Sequence, residues 1–322
     1  MRATSFVVVS LLAGMLLCLP DSAQMSRTAG SAAELTDPGG LIPAWTTMAT
    51  AWDIPRNPLQ DSTLGATPLS DQIRWGYRLF VNTQHEASRF GLNKLSCSNC
   101  HLNAGQRENA LPMVGIASVF PEYNKREGRP FSLEDRVVGC FWRSQSAADA
   151  AKHLDAGTTD TSLPSVTSPE VLALSAYVTW LSRDIPHGKA IPWRGHNVIP
   201  SGNLIPVQRL DPRLGESLFK ERCSNCHGMD GQGVEIGDKK PGPLWGDGSW
   251  NDGAGAARIY TLAGIIRYSM PYINPGSLTD EEAQLIAAFI NSKPRPAYPF
   301  KDNDYRTEKL PVDAVYYKRQ GN

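Results

Sequence analysis

From Leu69 the chain becomes periodic. Ile73, Tyr77, Leu79 and Phe80 recur at the three- and four-residue intervals of a helix with one buried face, and Ser70 stands near its start as a candidate cap. The run Ser168-Pro169-Glu170 places a capping residue before a proline suited to the first helical position, and Leu172, Leu174, Tyr177, Trp180 and Leu181 follow. Thr279-Asp280-Glu281-Glu282 has the form of a capping box, and Leu285, Ile286, Phe289 and Ile290 supply an apolar face. Gly76-x-x-Leu79-Phe80 returns as Gly215-x-x-Leu218-Phe219, an internal repeat in which a residue without a Cβ would let two helices cross closely. The pattern predicts a mainly α chain built of two tandem domains, residues 25–187 and 213–297. Residues 188–212, broken by Pro192, Gly195, Pro200, Gly202 and Pro206, read as a linker, and the proline-punctuated residues 298–322 as an extended tail over the body.

The sequence of 322 residues is long enough for two or three cores, and its 32 Lys+Arg balance 32 Asp+Glu, so no overall field recruits nucleic acid or an anionic membrane. Residues 1–24 read as a secretory signal peptide: Arg2, an apolar run from Phe6 to Leu19, then small residues near Ala23. That run is shorter than the ~20 residues needed to span a bilayer, and no later run approaches that length, so no membrane span is expected in the mature chain. The expected location is the periplasm. Residues 25–65 read as a loop-rich arm.

Cys97-Ser98-Asn99-Cys100-His101 returns letter for letter as Cys223-Ser224-Asn225-Cys226-His227. C-x-x-C-H is the attachment motif of c-type haem: two thiols form thioethers along one porphyrin edge, and the next residue brings an imidazole beneath the iron. A redox dithiol or half a zinc site would use C-x-x-C alone, but His follows in both copies and no second C-x-x-C lies near either. Two covalently bound haem c groups, one per cytochrome c-type domain, are therefore expected. Of six cysteines, Cys18 leaves with the signal and four are consumed by thioethers, so Cys140 has no partner for a disulfide.

The sixth iron position separates electron carriers from catalysts. In the second domain Met229 is too near His227 to reach the opposite face, whereas Met270, in Tyr268-Ser269-Met270-Pro271, lies where a distal methionine is expected. In the first domain the candidates are Met113, Cys140 and His153. Cys140 follows His101 by 39 residues, close to the 43 between His227 and Met270, so register favours it; a buried inert cysteine is the alternative. A thiolate lowers the potential where methionine raises it, so electrons would run from the first haem to the second.

The runs Leu95–Gly105, Phe120–Arg126, Arg136-x-x-x-Cys140-Phe141-x-Arg143-Ser144 and Ser168-Pro169-Glu170 through Tyr177 to Trp180-Leu181-Ser182 together resemble the bacterial dihaem thiosulfate dehydrogenases, over about residues 65–315. Members of that family couple two thiosulfates into tetrathionate in the periplasm, and some run the reverse reaction. The resemblance implies that Cys140 is both distal ligand and catalytic nucleophile, that Arg126 and Arg136 bind the anionic substrate, and that Ser144 supplies a pocket hydroxyl. It also implies an acceptor for the electrons in the periplasm, a cytochrome c or a high-potential iron–sulfur protein. Composition alone would not find these arginines: residues 122–143 carry five basic and four acidic side chains and read equally well as a solvated charged loop. The chain has Gln145-Ser146-Ala147 where family members more often show Asn-Gly after a variable residue. Some relatives also place a Lys near the distal methionine; Ser269 precedes Met270 here, so plain His/Met ligation is expected.

Three other readings fit parts of the pattern. A non-catalytic dihaem carrier needs ordinary ligands on both irons, and a dihaem cytochrome c peroxidase needs an iron open to peroxide. A haem-thiolate sulfur-oxidation subunit would place its cysteine after the second motif, where no Cys follows Cys226.

Overall fold

The structure is a computed structural model and describes residues 56–90, 92–146, 163–237 and 240–317. The expected signal segment, most of the expected arm and His153 lie outside the described residues.

Helix α1 spans Pro68–Val81. Proline has no N–H to lose and a φ already near the helical value, so it takes the first helical position and the cap moves back to Thr67. Thr67 and Ser70 bond reciprocally, which makes Ser70 the third helical residue and not the cap that the pattern suggested. Ile73, Gly76, Leu79 and Phe80 form the buried face. Next comes a short antiparallel hairpin, β1 (Glu122–Asn124) and β2 (Arg129–Phe131), with Tyr123 opposite Pro130. Helix α2 (Leu133–Arg143) starts at a Ser132/Asp135 capping box. Its charges alternate with Val137, Val138 and Phe141, so residues that read as a charged loop form a helix with one apolar side.

Helix α3 (Pro169–Trp180) begins where expected, with Pro169 in the first turn after Ser168. The Ser168 hydroxyl accepts from Ser165 N at 2.9 Å instead of bonding into the helix. The α3 residues Val171, Ala173, Leu174, Tyr177 and Trp180 are buried against α1, with Phe90 and Phe141 in the same cluster. A Cβ on Gly76 would stand 2.0 Å from the Ala173 carbonyl oxygen, so the α1–α3 crossing brings backbone onto backbone.

The second half repeats the plan with α4 (Pro212–Arg222), α5 (Ile259–Ser269) and α6 (Asp280–Ile290). The Thr279/Glu282 capping box forms as the sequence predicts. Gly215 on α4 meets the Leu285 carbonyl of α6 at the same 2.0 Å. Phe219 packs on Phe289 with ring centroids 5.4 Å apart. The pattern did not single out α5: Ile259-Tyr260-Thr261, Gly264 and Ile265-Ile266 mix strand-favouring and helix-weakening residues, and burial on Leu262, Ala263 and Ile266 overrides propensity.

Residues 188–212 are packed down. Ile191, Trp193 and Ile199 are buried, and Trp193 Nε1 donates to Val114 O at 3.0 Å. Residues 298–317 also lie against the body, burying Tyr298 and Asp304. Among the described residues no helix is long and apolar enough to cross a membrane.

Two outcomes are expected from this packing. Gly76→Ala drives a methyl into a carbonyl that cannot move aside and should cost about 3 kcal/mol, the upper end for overpacking, in denaturant unfolding of the haem-loaded protein; a loss below about 1 kcal/mol would mean that the crossing relaxes freely. The second concerns acid. Burial pushes the Glu170 carboxyl up, but two 2.6 Å bonds from Arg89, the backbone N–H and the Arg89 charge outweigh it, and the net direction is down. A depressed carboxyl stabilises the fold above its unfolded value of about 4.3, and that contribution is lost as pH falls through the lower folded value. Melting midpoints measured downward from pH 5 should therefore fall less steeply for Glu170→Gln than for the parent. With Arg89 40% exposed, the difference at neutral pH should be about 1 kcal/mol or less.

Candidate functional site

The first C-x-x-C-H follows α1 as a turn capped by Ser96. Cys100 N and His101 N both donate to Cys97 O, at 3.2 and 3.0 Å, which winds the two thiols and the imidazole into one compact turn. Thr83 Oγ1 accepts from Cys97 N at 3.0 Å and fixes that turn to the end of α1. His101 Nδ1 lies 2.6 Å from Leu111 O; a carbonyl can only accept, so Nδ1 carries the proton and Nε2 keeps its lone pair for a metal. Burial, with Arg136 nearby, lowers the pKa of His101 despite the Leu111 bond, so the ring is neutral and ready to ligate. Burial pushes the Cys97 thiol up to about 12 and the Cys100 thiol to about 11. Among the described residues there is no cluster of three or more His, Cys, Asp or Glu that could hold a metal ion.

The second motif follows α4 in the same way, with Cys226 N and His227 N donating to Cys223 O at 3.1 and 2.9 Å. Burial lowers His227 to about 4, and its Nδ1 is buried with no partner among the described residues. A neutral imidazole directly after a compact C-x-x-C turn is what an axial haem ligand requires, so both motifs fit haem c. Met270 directly follows α5, with its N–H bonded to Ile266 O at 3.1 Å, and is half-buried. Met229 is 63% exposed. Met113 packs between two apolar clusters and against Gly105.

Cys140 lies half-buried in the last turn of α2. A negative charge on Cys140 would raise both Cys97 and Cys100, which sets its thiol near the first attachment pair. Arg136, one turn earlier on the same helix, is exposed and acts on His101. The structure thus gathers Arg136, Cys140, Cys97, Cys100 and His101 around one place. Arg126 has other neighbours: Nη1 donates to Gly253 O at 2.6 Å, its guanidinium faces Tyr305, and burial with Arg143 and Arg258 nearby lowers its pKa. Ser144 caps α2 through its backbone, donating N–H to Cys140 O at 2.8 Å and accepting from Asn93 Nδ2 at 2.8 Å. In the Gln145-Ser146 stretch, Ser146 takes φ +55°, a conformation that asparagine adopts more readily.

Two buried arginines escaped the pattern. Arg143 grips Asp304 with both nitrogens, at 2.8 and 2.7 Å, and reaches Glu127 at 3.2 Å. Arg107 is fully buried six residues after His101; its Nη2 donates to Tyr272 O at 2.5 Å, two residues after Met270. Arg143 does fall in the Arg136-to-Ser144 run, but its partner lies 161 residues away, where no local period can point.

The family model "SoxA/TsdA, cytochrome c domain" matches residues 86–187, and "Cytochrome C oxidase, cbb3-type, subunit III" matches residues 210–290. The chain is 36% identical over 243 residues to the thiosulfate dehydrogenase of Stutzerimonas stutzeri, covering 75% of this chain and 73% of that one. It is 35% identical over 260 residues to that of Psychrobacter arcticus (79% and 72%) and 36% over 237 residues to that of Allochromatium vinosum (71% and 80%). A solved thiosulfate dehydrogenase (TsdBA) from Marichromatium purpuratum superposes with a TM-score of 0.64 at 32% identity, covering 74% of this chain and 49% of that chain, so this chain spans about half its length. With two cytochrome c domains, each carrying one haem c, the chain belongs to the thiosulfate dehydrogenase family.

Proposed function

We propose that this enzyme oxidises two thiosulfates to one tetrathionate in the periplasm, with Cys140 as nucleophile and as distal ligand of the first haem. The observation that carries the reading is the position of Cys140, a thiol without a disulfide partner beside Cys97 and Cys100, with Arg136 one turn away. Cys97, Cys100 and His101 would hold the first haem, and Cys223, Cys226, His227 and Met270 the second. Two haem c groups supply two one-electron acceptors, matching a two-electron oxidation.

The residues do the rest. The Cys140 thiolate joins the outer sulfur of a thiosulfate dianion, giving a cysteine S-thiosulfonate of single negative charge and releasing two electrons. The outer sulfur of a second thiosulfate then attacks the sulfur that bears the sulfonate. The new sulfur–sulfur bond completes tetrathionate, the bond to Cys140 breaks, and the thiolate returns. Three negative charges meet in each step, so fixed positive charge is required, and the exposed guanidinium of Arg136 can approach the anion from solvent. Arg126, donating to Gly253 O, would contribute field from a fixed place, and the Ser144 hydroxyl a short-range donor. Electrons would leave through the second haem to a cytochrome c or high-potential iron–sulfur protein.

Thiosulfate added to the oxidised, haem-loaded protein should reduce the haem bands and yield tetrathionate; bands that stay oxidised would remove the forward reaction. Cys140→Ala should lower kcat by about 10³-fold or more while both haems remain attached. Arg136→Ala removes a charge-assisted contact worth about 1.5–3 kcal/mol, so kcat/KM for thiosulfate should fall roughly 10- to 100-fold. An unchanged value would take Arg136 out of the site.

A further inference from the structure

The last four carbonyls of a helix have no partner within it. In α2 these belong to the turn that holds Cys140. The Cys140 carbonyl is met by Ser144 N and Gln145 N, at 2.8 and 3.0 Å. The next positions are met from the second domain: Asn251 Nδ2 donates to Trp142 O at 2.8 Å, and Asn251 N donates to Arg143 O at 3.1 Å. Asn251 Oδ1 accepts from Gly253 N at 3.1 Å, so the side-chain amide is committed on both sides, and the residue is 1% exposed. It sits in a strip that touches the first domain along its length. Gly248 O accepts from Lys94 N at 3.0 Å, Ser249 O from Asn93 Nδ2 and Ser146 Oγ at 2.9 and 3.0 Å, and Gly253 O from Arg126 and Arg143.

We infer that Asn251 is a positioning residue for Cys140: the electron-transfer domain caps the helix that carries the nucleophile. The inference rests on the reading of Cys140 as ligand and nucleophile. Trp142 is two residues beyond Cys140, about 3 Å along the axis, so the bond that fixes the Trp142 carbonyl fixes the rotation and height of the turn bearing the thiol. The end of a helix also carries partial negative charge, which opposes a thiolate in its last turn. The two N–H groups of Asn251 cover that charge at two carbonyls. No water has to enter, and no first-domain residue duplicates the pair of bonds to Trp142 O and Arg143 O among the described hydrogen bonds.

The test uses the full-length, haem-loaded protein with Asn251→Ala and Asn251→Asp. Aspartate keeps the size and the acceptor for Gly253 but turns the donor facing Trp142 O into a repelling oxygen, and it carries the test if the alanine variant fails to load haem. Electron paramagnetic resonance reads the thiolate-ligated low-spin signal of the first haem and the His/Met signal of the second. Both variants should lose at least about half of the thiolate signal with the His/Met signal intact, and kcat should fall by up to roughly 10²-fold with KM nearly unchanged, as for a misplaced catalytic group. Asn291→Ala is the control: Asn291 is similarly buried and donates to Ala256 O at 3.1 Å inside the second domain, so it should leave the thiolate signal alone. Asn251 variants that keep the parent thiolate signal and kcat overturn the inference by themselves, as does equal damage from Asn291→Ala. A parent protein with no thiolate signal overturns the ligand reading and this inference together.

Discussion

A carbonyl oxygen 2.0 Å from where a Cβ would stand leaves no room for any side chain, and both helix crossings have this geometry, at Gly76 against Ala173 and at Gly215 against Leu285. Backbone contact at those crossings sets α1 on α3 and α4 on α6. The aromatic residues a turn further on, Phe80 with Tyr177 and Phe219 with Phe289, then meet at 5.5 and 5.4 Å. The second C-x-x-C-H begins directly after its crossing helix and the first is tied back to its own, so each crossing positions the residues that would hold a haem. The first copy tolerates a longer spacer before its motif because Thr83 ties Cys97 back to the end of α1.

Much of this was legible in the chain, for physical reasons. A glycine followed three residues later by Leu-Phe is a short local pattern that burial enforces, and it marks both crossings in the sequence itself. Thr279 and Glu282 satisfy each other within one turn, so their capping box reads directly from spacing. The cap lies three residues before Ser70, at Thr67, because Pro68 takes the first helical position, an effect of the missing N–H and not of periodicity. Helix α2 was illegible because its solvent side is as charged as a loop; only packing of Phe141 against Phe90, at 5.3 Å, distinguishes the two. The cysteine count isolated Cys140, but nothing local in the sequence shows that Asn251, over a hundred residues later, would hold its helix.

The two halves meet through polar groups that each leaves unsatisfied alone. Residues 248–253 offer carbonyls to Asn93, Lys94, Arg126 and Arg143 and take back two carbonyls of α2. Leu95, two residues before the first haem cysteine, belongs to the apolar cluster of the second domain. On another side Arg107 spans from the segment after His101 to Tyr272, whose hydroxyl bonds Asn103 at 3.2 Å. Buried polar contacts cost more to break than they gain when formed, so such a boundary resists partial opening.

The grip of Arg143 on Asp304 ties the last stretch of the chain to the helix of the nucleophile. Arg143 is 5% exposed and belongs to the same turn as Cys140, while its counter-charge comes from the last stretch of the sequence. Glu127, at 3.2 Å, is the carboxylate left to the Arg143 guanidinium when Asp304 is removed from the folded protein, and breaking such a buried pair costs about 3–5 kcal/mol. The stretch around Asp304 therefore clamps the helix that bears Cys140, although every haem cysteine lies well before it.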